Sequence, residues 1–215
     1  MLRQLIKEML LSEGMWSPQR LKDDGYKIVV TDQPSIRQMK ISLRDNSGKF
    51  RGLVTIAKPN TYDGPCFNAW LIVQSHVADD LSGAGPLLYD IAMEFAGDDG
   101  LAPDRSKVSA DARRVWDYYL SQRSDVEHEQ LDDLYGTLTP MYSEDDCRQS
   151  SAYSEEDYVG GEPPDVEWPN VKLTAKDQPH LKKSFRDSAL SKVYRKKGTP
   201  VLDALDKLRL IEYIM

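Results

Sequence analysis

Ala69-Trp70-Leu71-Ile72-Val73-Gln74-Ser75-His76-Val77-Ala78-Asp79-Asp80-Leu81-Ser82-Gly83-Ala84-Gly85-Pro86-Leu87-Leu88-Tyr89-Asp90-Ile91-Ala92-Met93-Glu94-Phe95-Ala96 changes its apolar spacing halfway along. Up to about Gln74 the apolar residues are continuous, as in a buried strand; beyond Pro86 they fall at Leu87, Leu88, Ile91, Ala92 and Phe95, the spacing of a helix. The stretch therefore predicts strand, glycine loop, helix. Gly83 and Gly85 relieve the loop backbone of Cβ atoms, and Pro86 suits a first helical turn, where its missing N–H has no partner to lose. The amides that open a helix, together with its dipole, favour phosphate or carboxylate. The same glycines equally suit a tight turn that only packs the helix on its strand.

Outward from this stretch, the chain falls into four segments. Residues 1–25 open with Leu2, Leu5, Ile6, Met9 and Leu10 on one helical face, an amphipathic helix stopped by Gly14, with a loop or short helix leading in. Residues 26–142 hold the expected domain. Tyr26–Thr31 is strand-like. Gln38–Arg44 alternates Met39, Ile41 and Leu43 against Lys40, Ser42 and Arg44; the turn Asp45–Lys49 and the returning strand Phe50–Ala57 complete a hairpin. After the central stretch, Leu101–Ser109 reads as an extended link and Ala110–Gln122 as a helix. Val126–Tyr135 reads as a short helix with Leu131 and Leu134 inward.

Residues 143–167 carry nine acidic residues against one arginine, with Gly160, Gly161, Pro163 and Pro164. That composition predicts an exposed linker without regular structure. From Trp168 the sign reverses, with eleven Lys or Arg against five Asp or Glu. Residues 168–215 then read as a basic segment of two helices, Leu181–Arg195 and Val201–Leu210, split at Gly198-Thr199-Pro200. Either end helix could meet a protein partner or a second copy, and the basic segment is expected to bind an acidic surface, the chain's own or a partner's.

A formal charge of −7 argues against non-specific nucleic-acid binding by the chain as a whole. Cys66 and Cys147 lie far apart and His76, His128 and His180 are scattered, so neither a disulfide framework nor a structural metal is expected. No apolar run approaches the roughly 18 residues that span a bilayer. Met9-Leu10-Leu11 is too short a core for a signal peptide, which points to a cytoplasmic protein.

Taken together, the order of strand, hairpin, apolar strand, glycine loop, helix, link and aromatic-rich helix resembles the GNAT superfamily of N-acetyltransferases over roughly residues 26–120. The fold class expected is thus α/β of the α+β kind: a mixed, largely antiparallel sheet flanked by helices, with a helical C-terminal extension. The family's pyrophosphate loop, Gln/Arg-x-x-Gly-x-Gly/Ala, corresponds to Asp80-Leu81-Ser82-Gly83-Ala84-Gly85, with Asp80 in the place of the leading Gln or Arg. The resemblance implies an acyl-CoA-dependent N-acyltransferase. Acetyl-CoA would rest its pyrophosphate on Gly83, Ala84 and Gly85 and its pantetheine along Trp70, Ile72 and Val73.

The family's later motif, Asn-x-x-Ala-x-x-Leu-Tyr, matches Ser109 to Trp116 in spacing. Trp116 replaces the tyrosine that protonates the leaving thiolate, and an indole N–H is a poor general acid. Tyr118 or Tyr119 would take over that role. His76 titrates in the range of a base but is expected to be an exposed loop residue, and Glu94 is a poor base candidate because it sits on the helix. The overall build also resembles small acetyltransferase-like proteins of tailed bacteriophages. That resemblance supports a second reading: a catalytically silent domain of the same fold serving as a structural or interaction protein, such as a virion component.

Overall fold

The computed structural model describes residues 16–61, 63–132, 138–139, 143–152 and 185–214. They form a mixed α/β arrangement of eight mostly antiparallel strands and several helices, divided into two compact units that interleave along the chain. The expected N-terminal amphipathic helix, Leu134, residues 153–167 of the expected acidic linker and the stretch 168–184 of the basic segment lie outside the described residues.

The first unit takes residues 1–57, 73–97 and 198–215. Helix α1 (Pro18–Asp23) begins where the Ser17 hydroxyl accepts from the amide of Arg20. Strand β1 (Tyr26–Gln33) pairs antiparallel with β2 (Gln38–Asp45), in register from Tyr26 opposite Asp45 to Gln33 opposite Gln38. Strand β3 (Phe50–Ala57) returns along β2 with an irregularity at Leu43/Arg44. The Asp45 carboxylate fixes that hairpin turn, accepting from the amides of Ser47 and Lys49 at 3.0 Å each and from the Ser47 hydroxyl at 2.6 Å. Gly48 takes the left-handed conformation the turn requires (φ 81°).

Helix α2 (Ala84–Ala96) packs on β2 and β3, setting Leu87, Leu88, Ile91 and Ala92 among the buried residues Ile41, Leu43, Val54 and Ile56. Burying each of the larger of these side chains is worth about 1.5–3 kcal/mol. Gly52 makes the close layer possible: a Cβ there would stand 3.3 Å from both the His76 carbonyl oxygen and Leu88 Cδ1.

The second unit takes residues 58–72 and 98–197. Strand β4 (Trp70–Val77) contributes its first residues here, pairing parallel with β5 (Leu101–Ala102), which pairs antiparallel with β7 (Lys192–Lys196). Helix α3 (Ala110–Gln122) starts at the Ser109 cap, and β6 (Val126–Gln130) lies antiparallel to β7. The core joins Cys66, Ala69, Leu71, Ala102, Leu131, Cys147 and Val193, with Phe67 against it.

Four expectations are corrected. Val126–Gln130 is a strand, not a helix; it carries Arg195 against Glu129 at 2.8 Å and Lys197 against Glu127 at 3.0 Å, so its carboxylates serve β7. Within the stretch read as the helix Leu181–Arg195, residues 185–187 are helical, but a 3-10 turn (Ala189–Ser191) and strand β7 replace the rest of the described part. Helix α4 (Pro200–Leu208) forms as expected, but Ile211–Ile214 continues as β8, parallel to β1. The start of the acidic segment is not an exposed linker, since Asp145, Cys147, Gln149, Ser151 and Ala152 are buried.

Cys66 and Cys147 form a disulfide, against the expectation from their spacing. Residues 144–148 run beside residues 63–67: Cys66 N donates to the Asp146 carbonyl at 3.0 Å, Arg148 N to Asp63 at 2.8 Å, and Phe67 N to Glu144. That pairing brings the cysteine Cα atoms to 4.7 Å, although 81 positions separate them in the chain.

Candidate functional site

In the first unit, the last part of β4 delivers an exposed run from Val73 to His76 into the turn that precedes α2. Ala78 N donates to the Arg51 carbonyl, Leu81 N to Ala78 and Ala84 N to Leu81, winding the loop tightly. Leu81 and Ala84 are buried and anchor it from below. From the side, the Trp16 indole N–H donates to the Ser82 carbonyl at 3.2 Å. Gly83 caps the helix in the left-handed conformation (φ 86°), which an L side chain rarely adopts. Gly85 has ordinary φ, and a Cβ built on it meets nothing within 4 Å. A side chain at Gly85 would thus meet open space beside the first turn of α2, whose dipole favours an anion, although Ala84 N already donates to Leu81 and Pro86 has no N–H.

Asp80 does not stand alone beside this turn. Its carboxylate is paired with the Arg51 guanidinium, whose side chain is largely covered, reaching over from β3. The hydrogen bond from Arg51 holds the Asp80 carboxyl below its ordinary range, and Asp80 in turn raises the guanidinium. The Asp80 charge is therefore paired by a residue 29 positions earlier in the chain.

Glu94, buried on α2, is used structurally. Its carboxylate accepts from the amides of Val201 at 3.0 and 3.1 Å and of Leu202 at 2.7 Å. Those amides open α4, whose own Thr199 cap makes no side-chain hydrogen bond there. A carboxylate from a neighbouring helix thus does the work of an N-cap. His76 lies exposed on β4.

Of the residues expected to hold acetyl-CoA, Val73, Gly83, Ala84 and Gly85 belong to the first unit, Trp70 and Ile72 to the second. Ile72 is buried, and Trp70 lies beneath Lys58, whose Nζ sits 4.8 Å from the ring centroid. Tyr118 and Tyr119 belong to the second unit as well. Tyr119 is buried with Trp116, which stacks on Tyr194 at 4.9 Å between ring centroids. Tyr118 is half-buried, and the Arg123 guanidinium lies 5.9 Å from its ring and 5.3 Å from that of Tyr119. Tyr194 donates to the Ala189 carbonyl at 2.6 Å, and burial pushes its phenol well above the ordinary tyrosine range.

No protein-family model matches the chain, and no curated protein or solved structure matches it. Among the described residues, no helix is long and apolar enough to cross a membrane.

Proposed function

We propose that the chain binds acetyl-CoA through the turn before α2 and acts as a GNAT-type N-acyltransferase on an amine. One observation carries the reading: open space beside Gly85 at the start of a helix, on a turn where Asp80 is already paired with Arg51. Ala84 N already donates to the Leu81 carbonyl and Pro86 has no N–H, so the Gly85 amide and the helix dipole are what a diphosphate would meet there, and Arg51 keeps the local charge from opposing it. In the transfer, the amine nitrogen attacks the thioester carbonyl, an N–C bond forms, the C–S bond breaks, and the amine gives up a proton while the thiolate takes one.

Gly85→Glu tests the anion site. The side chain has room and lies at an early helical position where an acidic residue is favourable, so the fold is retained while a carboxylate occupies the diphosphate position. Calorimetry should detect acetyl-CoA binding to the wild-type chain and none to the variant. Equal binding by both removes the turn from the site.

A second reading rests on a different observation. Trp116, at the position of the family's tyrosine, is a core residue, and so is Tyr119. A chain that keeps the fold but buries these groups fits a silent structural or interaction protein, with a phage virion among its settings. Acetyl-CoA binding without turnover of any amine, unchanged in Tyr118→Phe, would favour it.

A further inference from the structure

Three carboxylates meet in the second unit, away from the turn before α2: Asp132, just after β6, and Asp145 and Asp146 in the acidic segment. Their ligand oxygens all lie within 4.8 Å of one another, and Asp132 and Asp145 are buried, at 0% and 4% exposure. Backbone bonds hold the pieces in place. Asp132 N donates to the Asp145 carbonyl at 3.0 Å, Asp146 bridges Asp132, and the next residue is pinned by the Cys66–Cys147 disulfide.

One buried oxygen of the cluster lacks a donor. Asp132 Oδ1 accepts from Leu138 N at 2.8 Å; its Oδ2 accepts from Thr139 N at 3.3 Å and from the Thr139 hydroxyl at 2.9 Å. The same hydroxyl also approaches Asp145 Oδ2, but it carries a single hydrogen and can donate to only one carboxylate at a time. Asp145 Oδ1, buried in the cluster, has no hydrogen-bond donor. A buried carboxylate oxygen without a donor is costly, and a cation beside it would remove that cost.

We propose that Asp132, Asp145 and Asp146 bind one hard divalent cation, Ca2+ foremost. The ligands are all carboxylate oxygens, and the nearby Cys147 sulfur is committed to the disulfide, so the set lacks the nitrogen or thiolate donors that select Zn2+ or Cu+. Ca2+ accepts six to eight oxygens in irregular geometry and fills the rest of its shell with water and carbonyls, which suits a site assembled from two loop segments. Spacing alone could not reveal it, because the ligands come from separate segments and from a region whose composition reads as an exposed linker.

The test uses the full oxidised chain, stripped with a chelator. Calorimetry with Ca2+, Mg2+ and Mn2+ should give one cation per chain, and saturating cation should raise the melting temperature. Asp145→Asn, nearly isosteric, should lower the affinity by at least about tenfold and abolish the melting shift. No binding by any of the three up to about 10 mM, above the weakest natural calcium modules, overturns the proposal. Binding that Asp145→Asn leaves unchanged overturns it too. Should that variant not fold, Mn2+ broadening of amide resonances in the wild-type chain decides: loss confined to residues around Asp132, Thr139, Asp145 and Asp146 supports the site, and loss elsewhere refutes it.

Discussion

Replacing both Cys66 and Cys147 by serine removes the one covalent link across the second unit. The bridge closes a loop with 81 positions between its ends. In the chain-entropy model a loop of that length gives up about 15 cal/mol/K in the unfolded chain, or about 4.5 kcal/mol at 25 °C. In a chain of this size that corresponds to a fall in melting temperature of roughly 9–18 °C. The effect should be smaller after reduction of the wild-type chain. Arg105 Nη1 lies 2.8 Å from Cys147 Sγ in a fully buried pocket, where burial lowers the guanidinium to about 9. A freed Cys147 thiol facing that cation would ionise more readily than an ordinary one, recovering part of the lost stability by pairing a buried charge. Calorimetric melts of oxidised, reduced and double-serine protein at one pH, with thiols counted in denaturant, check both steps. A fall below about 4 °C for the double-serine form refutes the loop argument. Two free thiols in protein prepared under oxidising conditions refute the bridge itself.

Glu94→Ala should cost about 2–3 kcal/mol, because it strips the acceptor from two amides at the start of α4 and leaves a buried gap; urea unfolding measures it, and a loss under about 0.5 kcal/mol would show that α4 caps itself. Asp80→Asn leaves Arg51 uncompensated beside the turn and should tighten acetyl-CoA binding, more so at low salt; weaker binding in the variant would mean that the pair positions the loop rather than setting its charge. Burial lowers the Lys192 ammonium to about 8. Between there and its ordinary value near 10.5 the unfolded chain holds the extra proton, so stability should rise with pH across that window and level off below it. Denaturant melts at about pH 7.5 and about pH 10 should show the rise in the wild-type chain and not in Lys192→Met.

Much of the first unit was legible residue by residue. Alternation of Met39, Ile41 and Leu43, with Asp45 and Gly48 at the turn, predicts the β2–β3 hairpin, and the spacing from Leu87 to Phe95 predicts α2, although that helix is buried nearly all round from Leu87 to Glu94. The strands missed in the second unit had no such pattern. In β6, only Val126 of Val126-Glu127-His128-Glu129-Gln130 is buried, and its charged residues are there to meet β7. Lys192 and Arg195, which fall within the expected helix Leu181–Arg195, are in β7 as a buried lysine and a partner for Glu129. In the candidate site the glycines were readable, since backbone freedom is a local property. The pairing of Arg51 with Asp80, the use of Glu94 by α4 and the meeting of the cysteines are set by tertiary proximity, which spacing does not encode.

The interleaving of the two units has a consequence during synthesis. The first unit needs residues 198–214: α4 supplies the amides that Glu94 accepts from, and β8 pairs with Ile28–Thr31 of β1. The second unit draws all its later residues from 98–197. At roughly 5–20 residues per second, about a hundred residues of translation separate Gly97 from Gly198, or on the order of 5–20 seconds. Through that interval Glu94 waits without its helix and one edge of β1 stands open, a template for pairing with another nascent chain. On a crowded polysome, the chain's exposure to misassembly is set by how fast the ribosome crosses the second unit, and slow codons there would lengthen it.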